Sequence, residues 1–325
     1  MKVFLSHTPE NFPGYFGDRA LAALAQHAKI VRNPTDRDLR DAELAEAAKG
    51  CDAIIAYRGS PGTAATFDAT PDLVAFLRCA VDISTIDVAA ASARGILVTR
   101  ATPGFVDAVA ELGIGMMVDL ARGVSRSVIA YRQDAVPVPV VGRQMSGASL
   151  GLVGYGRIAQ RLAEIARAMG MHVLAHDPKA APDTPLDDVL GADFVVCLAA
   201  SLPETANLMD ARAFAAMRRG AFFINLSRGE LVDEAALEAA LDSGHLGGAA
   251  MDVGRAPDQM PSHRLARRAD VIATPHLAGM TPQAAEHQAM DTVAQIAALA
   301  SGRMPEGAVN GPAAHRLQKL GIRPG

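Results

Sequence analysis

The chain is poor in cysteine, with only Cys51, Cys79 and Cys197 among 325 residues. Three thiols, far apart and in apolar or mixed surroundings, do not make a disulfide frame. They suit reduced structural thiols in a reducing compartment, and neither a catalytic cysteine nor a metal site is expected from them. An excess of positive charge is also missing. Lys and Arg number 31 against 35 Asp and Glu, a formal charge of −4, so no overall cationic field exists to hold phosphate backbones and no nucleic-acid partner is expected. No uninterrupted apolar run approaches the roughly 18 residues that a membrane helix requires. The opening run Met1-Lys2-Val3-Phe4-Leu5, stopped by Ser6-His7-Thr8-Pro9, is too short for the apolar core of a secretory leader and reads as a first strand. These absences together predict a soluble, cytoplasmic protein without a membrane partner.

What is present is a globular composition, half apolar and 20% charged, long enough for two ordinary domains or lobes. In the first hundred residues, strand-like runs at 3–5, 53–56 and 97–99 alternate with Ala-rich amphipathic stretches such as 20–28, which implies a parallel sheet covered by helices. Thr102-Pro103-Gly104 punctuates the chain before an apolar helix at about 109–120, and a lobe boundary is expected near residue 100. Val136-Pro137-Val138-Pro139-Val140 cannot be helical and reads as an extended arm, exposed or laid on a partner. From Leu150 the alternation is cleaner. Strands at 150–153, 173–175, 194–198, 221–225, 249–253 and 271–273 and helices at 158–169 and 234–243 form a doubly wound α/β pattern that binds nucleotides. Thr281-Pro282 supplies the cap and first-turn proline of a last helix running to about Leu299.

Three motifs carry chemistry. Gly154-Tyr155-Gly156-Arg157-Ile158-Ala159 follows an apolar strand and opens a helix, and Asp177 ends the next strand. In that context Gly154 allows the tight turn, Gly156 lets a pyrophosphate approach the backbone, and the helix N-terminus stabilises its charge. Asp177 would accept both ribose hydroxyls and repel a 2′-phosphate, which favours NAD over NADP, with Lys179 weakening the preference slightly. Arg228 stands just after a strand, where its planar, permanently charged fork suits a substrate carboxylate and adjacent carbonyl, although spacing alone also allows a solvated loop arginine. In Thr274-Pro275-His276 another strand ends in an imidazole, the side chain best matched to proton transfer near neutrality.

Taken together, these segments resemble the D-isomer-specific 2-hydroxyacid dehydrogenases over nearly the whole chain. The resemblance is carried by residues 151–158 with Asp177, by residues 225–233 around Arg228, by Ala250-Met251-Asp252-Val253 and by Thr274-Pro275-His276-Leu277-Ala278-Gly279. It implies two doubly wound parallel-sheet lobes, a Rossmann cofactor domain at 100–276 inserted into a flavodoxin-like substrate domain made of 1–99 and 277–325. It implies that Arg228 binds and polarises a 2-oxo acid, that His276 exchanges the proton on its oxygen, and that Asp252 holds the nicotinamide end of NAD. Further cofactor contacts are implied at Gly154, Tyr155, Gly156, Arg157, Ile158, Leu198, Ala199, Ala200, Thr205, Leu226, Ser227, His276 and Gly279, and substrate contacts at Arg58, Val81 and Asp82. The helix after Thr102 and the Val136 to Val140 arm look like the family's homodimer elements.

The departures are specific. The family carries a Glu-Pro a few residues after Asp252-Val253, the Glu orienting the histidine; here Pro257 stands where that Glu falls and Asp258 is one position late. Either Asp258 substitutes from a shifted loop, or His276 works without a carboxylate partner, or the chemistry differs. Asp82 replaces a glycine in a turn whose amides receive the substrate carboxylate. It would repel an anion unless Arg58 neutralises it, or it turns away and caps a helix. Leu198 and Ala200 replace the common His and Pro. The leading expectation is hydride transfer between NAD(H) and C2 of a small 2-hydroxy or 2-oxo acid. Formate-like or phosphite-like oxidation, and a dinucleotide-sensing interaction protein on the same scaffold, are the alternatives.

Overall fold

The computed structural model describes residues 1–180 and 184–323. The chain divides into two compact units, Met1–Gly104 with Thr281–Gly325 and, between them in sequence, Phe105–Met280.

The first unit is built on five parallel strands, β1 (Lys2–Leu5), β2 (Lys29–Arg32), β3 (Ala53–Ala56), β4 (Ala75–Arg78) and β5 (Leu97–Arg100), in the order β2-β1-β3-β4-β5. That is the flavodoxin-like order, with its switch point between β1 and β3. The inner strands are buried on both faces, so they read as short apolar runs without alternation. Register explains the two cores. Phe4, Ile54, Phe76 and Val98 lie in one row and pack with Leu44 and Phe67. Val3, Leu5, Ile55 and Leu77 point the other way, against Phe12, Phe16, Leu24 and the Val293, Ile296 and Leu299 face of the C-terminal helix. That helix runs Pro282–Ala300, and the Thr281 hydroxyl accepts from the Ala284 amide, as a proline-led N-terminus requires.

The second unit has six parallel strands, β6 (Ser149–Val153), β7 (His172–His176), β8 (Phe194–Cys197), β9 (Phe222–Asn225), β10 (Gly248–Met251) and β11 (Val271–Ala273), ordered β11-β10-β9-β8-β6-β7. The helices Val106–Arg122 and Arg157–Ala168 cover one face; Phe214, Leu237 and Leu241 cover the other. Because every strand is parallel, the residues that follow all six emerge along one carboxyl edge, where doubly wound sheets bind ligands.

Several boundaries differ from expectation. The helix expected at 20–28 is Gly17–Leu24, since the chain must turn before β2 begins at Lys29. The helix expected from Val109 starts at Val106 and ends on left-handed Gly123, after which Val124–Arg132 forms a second helix that the sequence pattern did not suggest. The strand expected at 249–253 stops at Met251, which frees Asp252 and Val253 for the loop. The three cysteines are free and buried, and burial pushes the Cys79 and Cys197 thiols up to about 12, so neither is a nucleophile at neutral pH. Among the described residues no helix is long and apolar enough to cross a membrane.

Candidate active site

The glycine turn of the second unit is shaped for a dinucleotide. Gly154 has φ 92°, and a Cβ there would sit 2.5 Å from the Ala199 amide nitrogen, so only glycine fits between the β6 and β8 ends. A Cβ on Gly156 would meet open space. Gly156 caps the helix Arg157–Ala168, and among the described residues no side chain bonds its first amides, which leaves an uncapped N-terminus to receive an anion. The Tyr155 and Lys179 amides each donate to the Asp177 carboxylate at 2.9 Å. These two donors, Tyr155 first, hold that carboxyl below its usual range, so it is an anion at the edge of the turn. The loop after β8 is fixed from two sides: the Ser227 hydroxyl donates to the Ala199 carbonyl, and the Thr205 hydroxyl donates to the Ala200 carbonyl at 2.7 Å. Ile158 is half-buried and Arg157 exposed, Leu226 is buried, and Gly279 packs closely on Phe105. The turn, the open cradle and the anchored carboxylate fit a pyrophosphate and a ribose diol.

Beyond this turn, three loops carry the remaining candidates. After β9, the buried Asn225 amide donates to the Arg228 carbonyl at 3.0 Å and accepts from the Ser227 amide at 3.1 Å, which shapes the turn that presents Arg228. The Arg228 side chain is exposed, its guanidinium donating to the Ser227 carbonyl at 2.8 Å. Gly229 lies so close to the loop after β10 that a Cβ would fall 2.2 Å from the Gly254 carbonyl. After β10, Asp252 is 1% exposed. Its carboxylate accepts from the Thr274 hydroxyl at 2.7 Å and from the Leu277 and Ala278 amides at 2.9 Å each. The residue expected to face the nicotinamide is therefore tied, through most of its lone pairs, to the loop that carries His276.

His276 is half-buried, with φ 53°. Its amide donates to the Asp252 carbonyl at 2.9 Å, and its Nδ1 lies 3.0 Å from the main-chain carbonyl oxygen of Asp258. What reaches the imidazole from Asp258 is thus the carbonyl and not the carboxylate. A carbonyl only accepts, so Nδ1 carries the hydrogen and Nε2 is left for exchange. The Gln259 amide donates to the Glu230 carboxylate at 3.0 Å, which links the loops of Arg228, Asp258 and His276 into one network.

In the first unit, Arg58 is exposed and Val81 half-buried. The Asp82 carboxylate accepts from the Ser84 amide and hydroxyl, both at 2.9 Å, so it turns onto its own loop, and its charge opposes the burial that lowers Arg78 to about 10. Sequence reasoning missed Arg78, fully buried at the end of β4 and donating to the Tyr57 carbonyl and the Thr85 hydroxyl. A charged residue closing an apolar strand was the available signal. His7, just past the end of β1, was missed too. It is 1% exposed, lies 5.3 Å from the Phe16 and Tyr57 rings, and neither ring nitrogen has a partner among the described residues.

Burial, with Arg32 and Arg78 nearby, lowers the His7 pKa to about 3. The unfolded chain takes up a proton near 6.5 while the folded protein does not, so stability falls as pH drops from 6.5 toward 3. Between pH 7 and 4.5 that single group should remove on the order of 2–3 kcal/mol. His7→Phe should therefore flatten the acid limb of the stability curve measured by urea unfolding; parallel curves for the two proteins would show that His7 does not govern it.

Comparison with known proteins follows the same lines. The model of a family described as D-isomer specific 2-hydroxyacid dehydrogenase, NAD binding domain, matches residues 114–278. A D-3-phosphoglycerate dehydrogenase of Synechocystis sp. is 35% identical over 287 residues, which are 84% of this chain and 51% of that one. The chain spans about half the length of the curated relatives it matches. Among solved structures, the TT0316 protein of Thermus thermophilus is 30% identical with a TM-score of 0.78, covering 95% of this chain and 100% of that one. The NAD-complexed D-isomer specific 2-hydroxyacid dehydrogenase of Lactobacillus delbrueckii ssp. bulgaricus shares the fold at a TM-score of 0.82 and 24% identity, covering 95% and 100% of the two chains.

Proposed function

This chain belongs to the D-isomer specific 2-hydroxyacid dehydrogenase family, and from that premise we propose that it interconverts a small 2-oxo acid and the corresponding D-2-hydroxy acid with NAD(H). The observation that supports this most directly is the pinning of His276: Nδ1 faces a carbonyl at 3.0 Å, so Nε2 is the atom left to deliver a proton. The residues that fit NAD are Gly154, Gly156, the amides opening the helix Arg157–Ala168, and Asp177 for the ribose hydroxyls. When bound, NADH supplies the hydride to C2 of the 2-oxo acid, giving the 2-hydroxy acid and NAD⁺ once the oxygen is protonated.

The chain's own residues do the rest. Arg228 pairs with the acid's carboxylate and draws electron density from the adjacent carbonyl. In its doubly protonated form His276 gives the Nε2 proton to that oxygen in reduction, leaving the neutral Nδ1–H tautomer, and that tautomer takes the proton back on Nε2 in oxidation. Asn225 and Asp252 hold the two loops in place. In the first unit, Arg58 and the backbone at Val81 and Asp82 are the proposed contacts to the acid. Supporting the last of these is the turning of the Asp82 carboxylate onto Ser84, which lessens its repulsion of an anion.

The protein is further proposed to be a cytoplasmic homodimer. Val136 and Val141 are 84% and 100% exposed, and Val124, Val128, Ile129 and Tyr131 add apolar surface on the neighbouring helix, more than a solitary chain ordinarily shows in one stretch. Sedimentation should give twice the chain mass; the mass of a single chain would remove the dimer.

Turnover of a panel of 2-oxo acids with NADH tests the activity. Oxidation of NADH with formation of the D-hydroxy acid is expected for at least one. Tight NADH binding with negligible turnover across the panel would replace the enzyme with a dinucleotide sensor.

A further inference from the structure

The carbonyl that faces His276 is aimed by an unusual piece of backbone. Asp258 has φ 57° and ψ 26°, and Gln259 has φ 61°. Two successive non-glycine residues in the left-handed region are strained, and they persist only where their surroundings over-determine them. Part of that support is local. The Gly254 amide donates to the Gln259 carbonyl at 2.7 Å and the Ala256 amide to the Met260 carbonyl at 3.0 Å, closing the loop across its base.

At the tip the support comes from a side chain. Gln259 Nε2 donates to Glu230 Oε1 at 3.0 Å. The other end of the same amide, Oε1, is buried without a partner among the described residues, so the side chain holds this orientation for the sake of one bond. Its acceptor belongs to the next residue but one after Arg228. The Gln259 donor, more than the positive Arg228 and Arg255, keeps the Glu230 carboxyl below its ordinary range, so a full anion holds the amide.

We infer that Gln259 and Glu230 are positioning residues for His276: their hydrogen bond holds the left-handed turn that presents the Asp258 carbonyl to Nδ1, and so fixes both the tautomer and the ring orientation. Neither side chain touches the reacting atoms. The carbonyl does for the imidazole what an acceptor side chain would do, and the clamp determines where that carbonyl stands. The catalytic consequence rests on the proton-transfer role proposed for His276; the tautomer does not.

Two readouts separate these. In the full-length protein, two-bond ¹H–¹⁵N correlation of the His276 ring should show the Nδ1–H tautomer in wild type and in Glu230→Gln, which keeps an acceptor oxygen. A mixture of tautomers is expected in Gln259→Ala and Glu230→Ala. In the 2-oxo acid assay, those two variants should lose roughly 10- to 100-fold in kcat, the scale of a misplaced catalytic group, with NADH affinity unchanged, while Glu230→Gln recovers most of the rate. The double variant should be no slower than either single one, since both break one bond. An unchanged tautomer in Gln259→Ala overturns the clamp whatever the activity. A loss confined to KM for the acid overturns it too, because Glu230 would then act through Arg228. A wild-type protein that turns nothing over yet shows the clamped tautomer overturns the proposed function and leaves the clamp standing.

Discussion

Replacing His276 should abolish most of the turnover while leaving the cofactor domain intact. His276→Asn is the informative variant. Its side-chain amide keeps an N–H donor close to where Nδ1 bonds the Asp258 carbonyl, 3.0 Å away, but it has no counterpart of Nε2. The loop stays tethered, since the residue-276 amide still donates to the Asp252 carbonyl and Asn tolerates the φ of 53° found there. A positioned proton donor contributes about 10²- to 10⁴-fold to such a reaction, and kcat for 2-oxo acid reduction should fall by that amount. NADH affinity, followed by fluorescence titration, should stay near wild type, and so should the thermal midpoint. Near-normal kcat in His276→Asn would take the proton transfer away from Nε2.

Asp252 should matter as much, for a different reason. Its carboxylate is the acceptor for one hydroxyl and two amides of the loop that carries His276, and it is buried. Asp252→Ala leaves three donors without their acceptor, the Ala278 amide buried and the Thr274 hydroxyl and Leu277 amide part-buried; with the full unsatisfied-donor cost of about 1–3 kcal/mol falling on the buried one and less on the two that water can reach, unfolding should become easier by roughly 2–4 kcal/mol. In Asp252→Asn one oxygen still serves two donors while the amide nitrogen opposes the third, and a smaller loss, about 1–3 kcal/mol, is expected. The activity readout distinguishes the two roles open to this residue. If Asp252 acts by anchoring the loop, kcat falls in Asp252→Asn with NADH affinity preserved. If its carboxylate instead serves the nicotinamide, as the family resemblance implies, NADH affinity falls alongside. Unchanged stability in Asp252→Ala would show that the three hydrogen bonds do not hold the loop.

Sequence and structure meet most closely where the chemistry is local. Residues 154–159 announce themselves because a strand, a tight turn and a helix start lie within a few positions of one another, and because the requirement for glycine at 154 is a requirement on its own φ. Arg228 and His276 are visible because each directly follows an apolar strand, and in a parallel sheet every strand end falls on the same edge. The departures from family pattern were legible as well: Pro257 is a fact of sequence, and it directed attention to the loop from Gly254 to Met260.

What occupies the place beside His276 was decided by the tertiary structure. No spacing rule reports that Asp258 and Gln259 are left-handed, since neither is glycine and the preference of Asp for that region is weak. The outcome depends on Glu230, nearly thirty positions earlier, and on backbone pairing across the loop. The same holds for Asp252, whose partners lie more than twenty residues away, and for Asn225, which looks like the last residue of a strand until its amide is seen bracing the Arg228 turn. His7 and Arg78 escaped because burial of a polar group is a property of the packed sheet and leaves no period in the chain. Strand β2, half-exposed at the sheet edge and bounded by Lys29 and Arg32, and strand β4, which ends on the buried Arg78, were missed for the complementary reason: charged residues break the short apolar run by which the other strands of that sheet announce themselves. The sequence by itself therefore determined which residues arrive at the carboxyl edge of each sheet, because that follows from strand order and local turns. Which atoms meet there depends on hydrogen bonds between loops distant in the chain, and only the folded arrangement sets those.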